Sequence, residues 1–259
     1  MTPSSTSAII ETDLRPDNLI VIKMAHIKKS FGGNKVLEDI NLLLNKGENL
    51  VILGKSGTGK SVLIKCIAGL DVPDSGQLDI LGKDISKLNE KELTGIHKKI
   101  GFLFQSGALY DSMTVRENLE FPLKRQQDSI SKEKLESMVK EALLDVGLIE
   151  TIDLSPSELS GGMRKRLGLA RTLILRPEIM LYDEPTTGLD PITSKEISNL
   201  ILTVQKKYNT SSIIITHDIN CTRLTADRII VIKDGICAAE GTYSDLKNSE
   251  DEWIKSFFE

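Results

Sequence analysis

Long apolar runs are missing from these 259 residues: no stretch approaches the ~20 uninterrupted apolar side chains that a membrane-spanning helix requires. Any membrane role must therefore come through a partner. The amino terminus, Met-Thr-Pro-Ser-Ser-Thr-Ser followed by Glu11 and Asp13, has no basic segment leading into an apolar run and does not read as a secretory signal. A basic excess is missing too. Thirty-three Lys and Arg stand against 37 Asp and Glu, a net charge of −4, which offers no footprint for nucleic acid. Only three cysteines occur, Cys66, Cys221 and Cys237, far apart and without metal-ligand spacing. They read as buried apolar thiols in a reducing cytoplasm, not as a disulfide framework.

What is present is a balance of 40% apolar and 27% charged residues, ordinary for a globular chain long enough to bury one core. Short apolar runs read as buried strands: Leu19-Ile20-Val21-Ile22, Leu50-Val51-Ile52-Leu53, Ile100-Gly101-Phe102-Leu103-Phe104, Ile179-Met180-Leu181-Tyr182 and Ile213-Ile214-Ile215. Helical patterns lie between them. Leu135, Met138, Val139, Ala142 and Val146 share one face behind Ser131 as N-cap; Ile197, Leu200, Ile201 and Val204 do so after Pro191. The alternation predicts an α/β fold with a mainly parallel sheet. Lys233-Asp234-Gly235 between two apolar runs predicts a hairpin. Residues 1–17 are expected to form a mobile polar tail, residues 18–259 one domain, residues 108–165 an inserted helical subdomain, and residues 243–259 a short C-terminal helix.

Chemistry enters at residues 54–61. Gly54, Lys55, Ser56, Gly57, Thr58, Gly59, Lys60 and Ser61 match the pattern G-x-x-x-x-G-K-S, between a predicted strand and a predicted helix. Glycines let the backbone wrap phosphates with its N–H groups, and the helix N-terminus adds a favourable dipole. Lys60 is placed to reach the β- and γ-phosphates of ATP, and the Ser61 hydroxyl to coordinate Mg²⁺. The run 179–182 ends in Asp183 and Glu184. Carboxylates at the end of a parallel strand face the ligand crevice. Asp183 can hold Mg²⁺ directly or through water, and Glu184 can act as general base.

Leu159-Ser160-Gly161-Gly162-Met163 narrows the family. With this segment the chain resembles the ATP-binding cassette (ABC) transporter ATPases, whose ordered motifs run here from Phe31 to His217. The resemblance implies the ABC ATPase fold: a P-loop NTPase (RecA-like) core, an N-terminal antiparallel β subdomain and an inserted helical subdomain. It implies that Phe31 stacks on adenine, that Gln105 senses Mg²⁺ or water and couples to a membrane subunit, and that Ser160, Gly161 and Gly162 contact the γ-phosphate held by a second copy. It further implies that Asp190 registers the dimer and that His217 is the switch histidine of the last core strand. Thr187-Gly188 departs from the Ser-Ala common in the family. Ser160 and two glycines opening a helix also make a second anion-binding N-terminus, so two copies packed head to tail would trap two ATP molecules. His26 and His97 have no motif context and read as structural.

The block Phe104-Gln105-Ser106-Gly107-Ala108-Leu109-Tyr110-Asp111-Ser112-Met113-Thr114-Val115 is similar to the lipid-asymmetry (Mla-type, MCE-associated) transporter ATPases. Ser155-Pro156-Ser157-Glu158, Met163, Asp190-Pro191-Ile192-Thr193 and the tail Trp253-Ile254-Lys255-Ser256-Phe257-Phe258 point the same way. That likeness implies phospholipid transport between inner and outer membranes, an integral membrane permease, an MCE-type periplasmic lipid-binding subunit, a homodimer of ATPases, and a place on the cytoplasmic face of the inner membrane. Leu109, Tyr110, Met113 and Val115 either receive the permease's coupling helix or form subdomain core. Two other readings remain. One is an importer of amino acids or another solute. The other is a soluble ABC ATPase acting on nucleoprotein, disfavoured because about 55 residues separate Gln105 from Ser160 and no long heptad run is present.

Overall fold

The computed structural model describes residues 19–126 and 130–258, so the expected tail of residues 1–17 and the last residue of the expected C-terminal helix lie outside it. The chain opens with a long ribbon, β1 (Ile20–Phe31) and β2 (Asn34–Asn45), then β3 (Asn49–Leu53) and helix α1 (Lys60–Ile67). Strands β4 (Ser75–Ile80) and β5 (Lys83–Asp84), helix α2 (Glu90–His97) and β6 (Ile100–Leu103) follow. Helices α3 (Val115–Gln126), α4 (Lys132–Asp145) and α5 (Gly161–Leu173) come next without an intervening strand. The chain then alternates: β7 (Ile179–Asp183), α6 (Pro191–Tyr208), β8 (Ser211–Ile215), α7 (Ile219–Thr225), β9 (Arg228–Lys233), β10 (Ile236–Gly241), α8 (Tyr243–Lys247) and α9 (Glu252–Lys255).

One ten-stranded sheet runs β5-β4-β1-β2-β10-β9-β3-β8-β7-β6. It is mixed. The run β9-β3-β8-β7-β6 is parallel, while β5-β4-β1-β2 is an antiparallel wing. Alternation along the central strands divides two cores. Leu50, Ile52, Ile179, Leu181, Ile213 and Ile215 face one cluster with Leu63, Ile64 and Ile67 of α1. Val51, Leu53, Met180, Tyr182 and Ile214 face the other, with Ile197, Ile201 and Val204 of α6 and Leu169 and Leu173 of α5. Burial on both faces explains why these strands read as continuous apolar runs. Each buried Leu or Ile contributes about 1.5–3 kcal/mol. A third cluster binds α3, α4 and α5 to one another through Leu119, Val139, Leu143 and Leu167. Ser131 caps α4 as expected, its hydroxyl accepting from the Lys134 N–H.

Three local expectations change. The first strand runs to Phe31, far beyond Ile22. The C-terminal segment forms two short helices, α8 and α9, capped separately by Thr242 and Asp251. Cys66 and Cys221 are buried, but Cys237 is half-buried on β10 with its Sγ donating to the Asn41 carbonyl at 3.2 Å. Burial pushes the Cys66 thiol up to about 11.

The wing meets the parallel core at β2 and β10, where the register gives one pair, Ile236 with Asp39. The hairpin turn reinforces this seam. Asp234 and Gly235 take φ of 49° and 74°, the left-handed pair of a type I′ turn, and the Gly235 carbonyl accepts from Glu38 N–H at 2.9 Å. Arg228 on β9 crosses the same seam. Its Nε bonds Glu48 Oε1 at 2.7 Å, its Nη1 bonds Glu240 Oε1 at 2.5 Å and its Nη2 donates to the Leu43 carbonyl at 2.5 Å. Replacing Arg228 by Met leaves the Glu48 carboxylate, 10% exposed, without its charged partner and with Asn45 alone as donor. The R228M chain should lose about 3 kcal/mol of stability, read as a lower urea midpoint at unchanged slope; a loss under about 1 kcal/mol would show that the seam does not depend on this guanidinium.

Candidate functional site

Parallel pairing decides where the loops emerge. Asn49 pairs with Ser212, Ser211 with Ile179 and Ile179 with Ile100, so β3, β8, β7 and β6 run in the same direction and end along one edge of the sheet. At or just after these ends stand Gly54, Thr216-His217, Asp183-Glu184 and Phe104-Gln105. They converge because of sheet direction, not sequence proximity. A cleft of about 710 Å³ opens there, lined by Gly54, Lys55, Ser56, Gly57, Gly59, Lys60, Ser61, Gln105, Glu184 and His217, with Val36, Val62, Thr187, Ile215 and Phe257. Its size suits a nucleotide-sized ligand.

The loop wall is shaped for an anion. Gly59, the N-cap of α1, has φ of 94°, and a Cβ there would stand 2.8 Å from the Val36 carbonyl oxygen. No side chain caps α1 and no acidic residue sits in its first turn, so its N–H groups and dipole face the cleft without a built-in counter-charge. Lys60 is buried, its Nζ donating to the carbonyls of Gly54 at 2.8 Å and Lys55 at 2.9 Å. Thr58 Oγ1 donates to the same Lys55 carbonyl at 2.9 Å. Burial pulls the Lys60 ammonium below its usual value, while the charges of Glu184 and Asp183 pull it back up.

Across from the loop the charges are acidic: Glu184 lines the cleft, and its neighbour Asp183 does not. Burial and then the neighbouring Glu184 charge raise the Asp183 carboxyl above the usual range, against the pull of Lys65, Lys60 and the Ser61 hydroxyl. Glu184 occupies a left-handed backbone conformation with φ of 51°. Its Oε2 accepts from Thr187 Oγ1 at 3.1 Å and lies 2.9 Å from His217 Nδ1. The carboxylate side chain is 16% exposed and the imidazole 69%. A buried ammonium with only carbonyl partners, an uncapped helix start, and Asp183 beside the Ser61 hydroxyl form a donor set that fits a phosphate chain with a hard cation.

A second cluster forms elsewhere. Ser160 caps α5, its Oγ accepting from the Met163 N–H at 3.3 Å. A Cβ on Gly162 would come within 2.5 Å of Thr193 Cγ2, so only glycine allows this approach to α6. Asp190 caps α6, accepting from Ile192 and Thr193 N–H at 3.0 Å each and from Thr193 Oγ1 at 2.6 Å. Ser160, Gly161, Gly162 and Asp190 are absent from the lining of the 710 Å³ cleft. So is Phe31, which stands half-exposed at the β1–β2 turn with the Lys29 ammonium 5.1 Å from its ring. Of the four residues with two readings, Val115 is buried core and Leu109 packs on that core; Tyr110 is exposed, against Phe121 and Arg171.

Lining or contacting residues that sequence reasoning did not place at the site include Val36, Val62, Thr187, Phe257 and Lys165. Lys165 had a readable signal. It falls on the buried stripe of α5 with Gly162 and Leu169, at the i, i+3, i+4 spacing where a charge is out of place.

Comparisons agree with this geometry. Residues 37–187 match the ABC transporter family. The chain is 38% identical over 226 residues to the methionine import ATP-binding protein MetN of Clostridium acetobutylicum, covering 87% of this chain and 70% of that protein. It is 39% identical over 238 residues to the "Probable ribonucleotide transport ATP-binding protein mkl" of Mycobacterium tuberculosis, covering 92% and 66%. The chain thus spans about two thirds of the length of these relatives. Among solved structures it is similar to the dimeric post-hydrolysis ATP-binding cassette MJ0796 bound to ADP and Pi, at TM-score 0.77 and 34% identity over 85% of this chain and 98% of that one. It is also similar to cbiO1 of Clostridium perfringens, at TM-score 0.80 and 30% identity over 86% and 88%.

The raised Asp183 carboxyl carries a stability prediction. A carboxyl whose folded value lies above its unfolded value of about 3.9 favours the folded state when protonated and opposes it progressively as pH rises through the folded value. Asp183→Asn removes that opposition. The nucleotide-free variant should melt higher than the parent at pH 7, with the gain shrinking toward pH 4; equal gains at both pH values would rule out the charge as the cause.

Proposed function

The chain belongs to the ABC transporter family as an ATP-binding and ATP-hydrolysing cassette, and from that premise we propose that it powers lipid movement, of phospholipid above all, between the inner and outer membranes through an integral membrane permease. In this reading Lys60 and the N–H groups of residues 54–61 hold the β- and γ-phosphates, and Phe31 stacks on adenine. Ser61, Asp183 and Gln105 would hold Mg²⁺, which would supply positive charge beside the phosphates. Glu184 takes the proton of the attacking water, a contribution of about 10²–10⁴ in rate. His217, 2.9 Å from Glu184 Oε2, orients that carboxylate from the open side of the cleft.

The observation that carries the reading is the separation of the two clusters. Ser160, Gly161 and Gly162 form an uncharged helix start that does not line the cleft of their own chain. A second copy in head-to-tail contact brings them to the γ-phosphate and brings Asp190 to the seam. The dimeric form of the MJ0796 cassette supports this arrangement. Permease docking is assigned to a groove of about 460 Å³ beside the Gln105 loop, whose walls include Phe102, Phe121, Pro122, Arg125 and Arg171. Among the described residues no helix is long and apolar enough to cross a membrane, consistent with attachment to the cytoplasmic face of the inner membrane through that groove. An MCE-type periplasmic subunit completes the assembly, and nucleic acid has no part in it. Lipid cargo rests on the likeness at residues 104–115. The relatives named for methionine import favour a second reading, an amino-acid importer.

Glu184→Gln tests the cycle: with ATP it should run as a dimer in size exclusion and hydrolyse at least about 100-fold more slowly. A variant that stays monomeric at saturating ATP would remove the head-to-tail model. The membrane complex that co-purifies with the chain, examined by mass spectrometry, should carry phospholipid and a periplasmic lipid-binding subunit. Bound methionine in their place would decide for the importer.

A further inference from the structure

Seven non-glycine residues among those described have a left-handed backbone; of two of them, Glu184 lines the cleft and Ala108 lies three residues after the cleft-lining Gln105. Such a conformation is unfavourable for a side chain with a Cβ and persists only where the surroundings hold it. At both positions the holder is the same helix. Arg171 of α5 donates from Nη1 to the Ala108 carbonyl at 2.6 Å. One helical stretch earlier, Lys165 of α5 donates from Nζ to the Glu184 carbonyl at 3.3 Å and, in a short contact, to the Gln105 carbonyl. Lys165 is only 7% exposed. Burial lowers its ammonium below the usual value and the Glu184 and Asp183 charges oppose that, the pattern seen for Lys60. The close approach is built in. A Cβ on Gly168, one turn along, would lie 3.0 Å from the Gly107 carbonyl oxygen.

We propose that Lys165 is a positioning residue for hydrolysis: its ammonium joins the Gln105 and Glu184 carbonyls, so that the seat of α5 sets the aim of the Glu184 carboxylate. The proposal rests on the reading of Glu184 as general base. Lys165 reaches no cleft-lining side chain directly; it acts through two backbone carbonyls. The same helix starts at Ser160, so a γ-phosphate contact at one end of α5 and the base at the other end of this bond share one rigid element. Movement of α5 toward or away from the sheet then changes the Glu184 turn, and the permease groove, which includes Arg171, reports on the same movement.

The test uses the full chain with ATP and Mg²⁺. Lys165→Met should lower kcat by about 10- to 100-fold, the scale of a misaimed group, while KM for ATP changes by less than about 3-fold. Lys165→Arg, which keeps a donor, should recover at least about 3-fold of that loss. The double variant K165M/E184Q should be no slower than E184Q alone, because a positioning residue has nothing left to position. A K165M chain with parental kcat overturns the proposal, as does joint loss of kcat, ATP affinity and melting temperature that Arg does not restore. If E184Q itself hydrolyses ATP at the parental rate, the base reading fails and this proposal with it. If E184Q is inactive and K165M is unaffected, only the role of Lys165 is lost.

Discussion

The direction of four strands governs everything the cleft can do. Because β3, β8, β7 and β6 are parallel and in register, residues 54–61, 105, 183–184 and 217 emerge along one edge although they span more than half the chain. An antiparallel neighbour at any of these positions would send one loop to the far side. The two-sided apolar core is the cost of that arrangement, since a parallel strand must be covered on both faces. It explains why α1 packs on one face and α6 on the other.

Helix α5 is the second constraint, and it is shared. It belongs to the sheet's core through Leu169 and Leu173 and to the helical cluster through Leu167, Ala170 and Ile174. Its start presents Ser160, and its cations hold the loop after Gln105. Arg164 pairs with Asp111 at 3.1 Å and Arg171 stands 4.7 Å from the Tyr110 ring. Asn118, fully buried, stiffens that loop from within by bonding the backbone of Tyr110, Met113 and Thr114. A helix fixed at so many points moves as a unit, and the segments it holds move with it.

Legibility in the sequence followed burial. Strands β3, β6, β7 and β8 announced themselves because both faces are apolar, and the loops that follow them could be placed from strand direction alone. The wing was harder. In β2, Leu37, Ile40, Leu42 and Leu44 turn inward while Glu38, Asp39 and Asn41 stay out, and register shifts in the β1–β2 pairing break the period of two between 37 and 40. A bulge hides a strand from a simple alternation test. The same rule accounts for the missed Lys165. A basic triplet, Arg164-Lys165-Arg166, looks like a solvated helix face, and only the helical period shows that its middle member points inward. The helix start at Ser160 was legible from a serine followed by two glycines, and its Oγ does accept from the Met163 N–H.

Charge balance explains why such a cleft is incomplete alone. Lys60 and Lys165 approach Asp183 and Glu184 from two sides, so two buried ammoniums face two carboxylates. Lys65 adds a third positive charge near Asp183, yet burial and the Glu184 charge still hold the Asp183 carboxyl above its usual range. A phosphate chain entering alone would meet both carboxylates at close range, where opposing charges are weakly screened. Lys60 can compensate by exchanging its two carbonyl partners for phosphate oxygens, but it supplies one charge. A hard dication, if held by Ser61 and Asp183, would supply the rest of the local balance. Dipoles add further stabilisation, and the uncapped start of α1 and the N-terminus of α5 are two that the fold offers. One lies in the cleft. The other does not line it, so in the proposed head-to-tail arrangement a second copy of the chain would have to bring its own Ser160 to the phosphates.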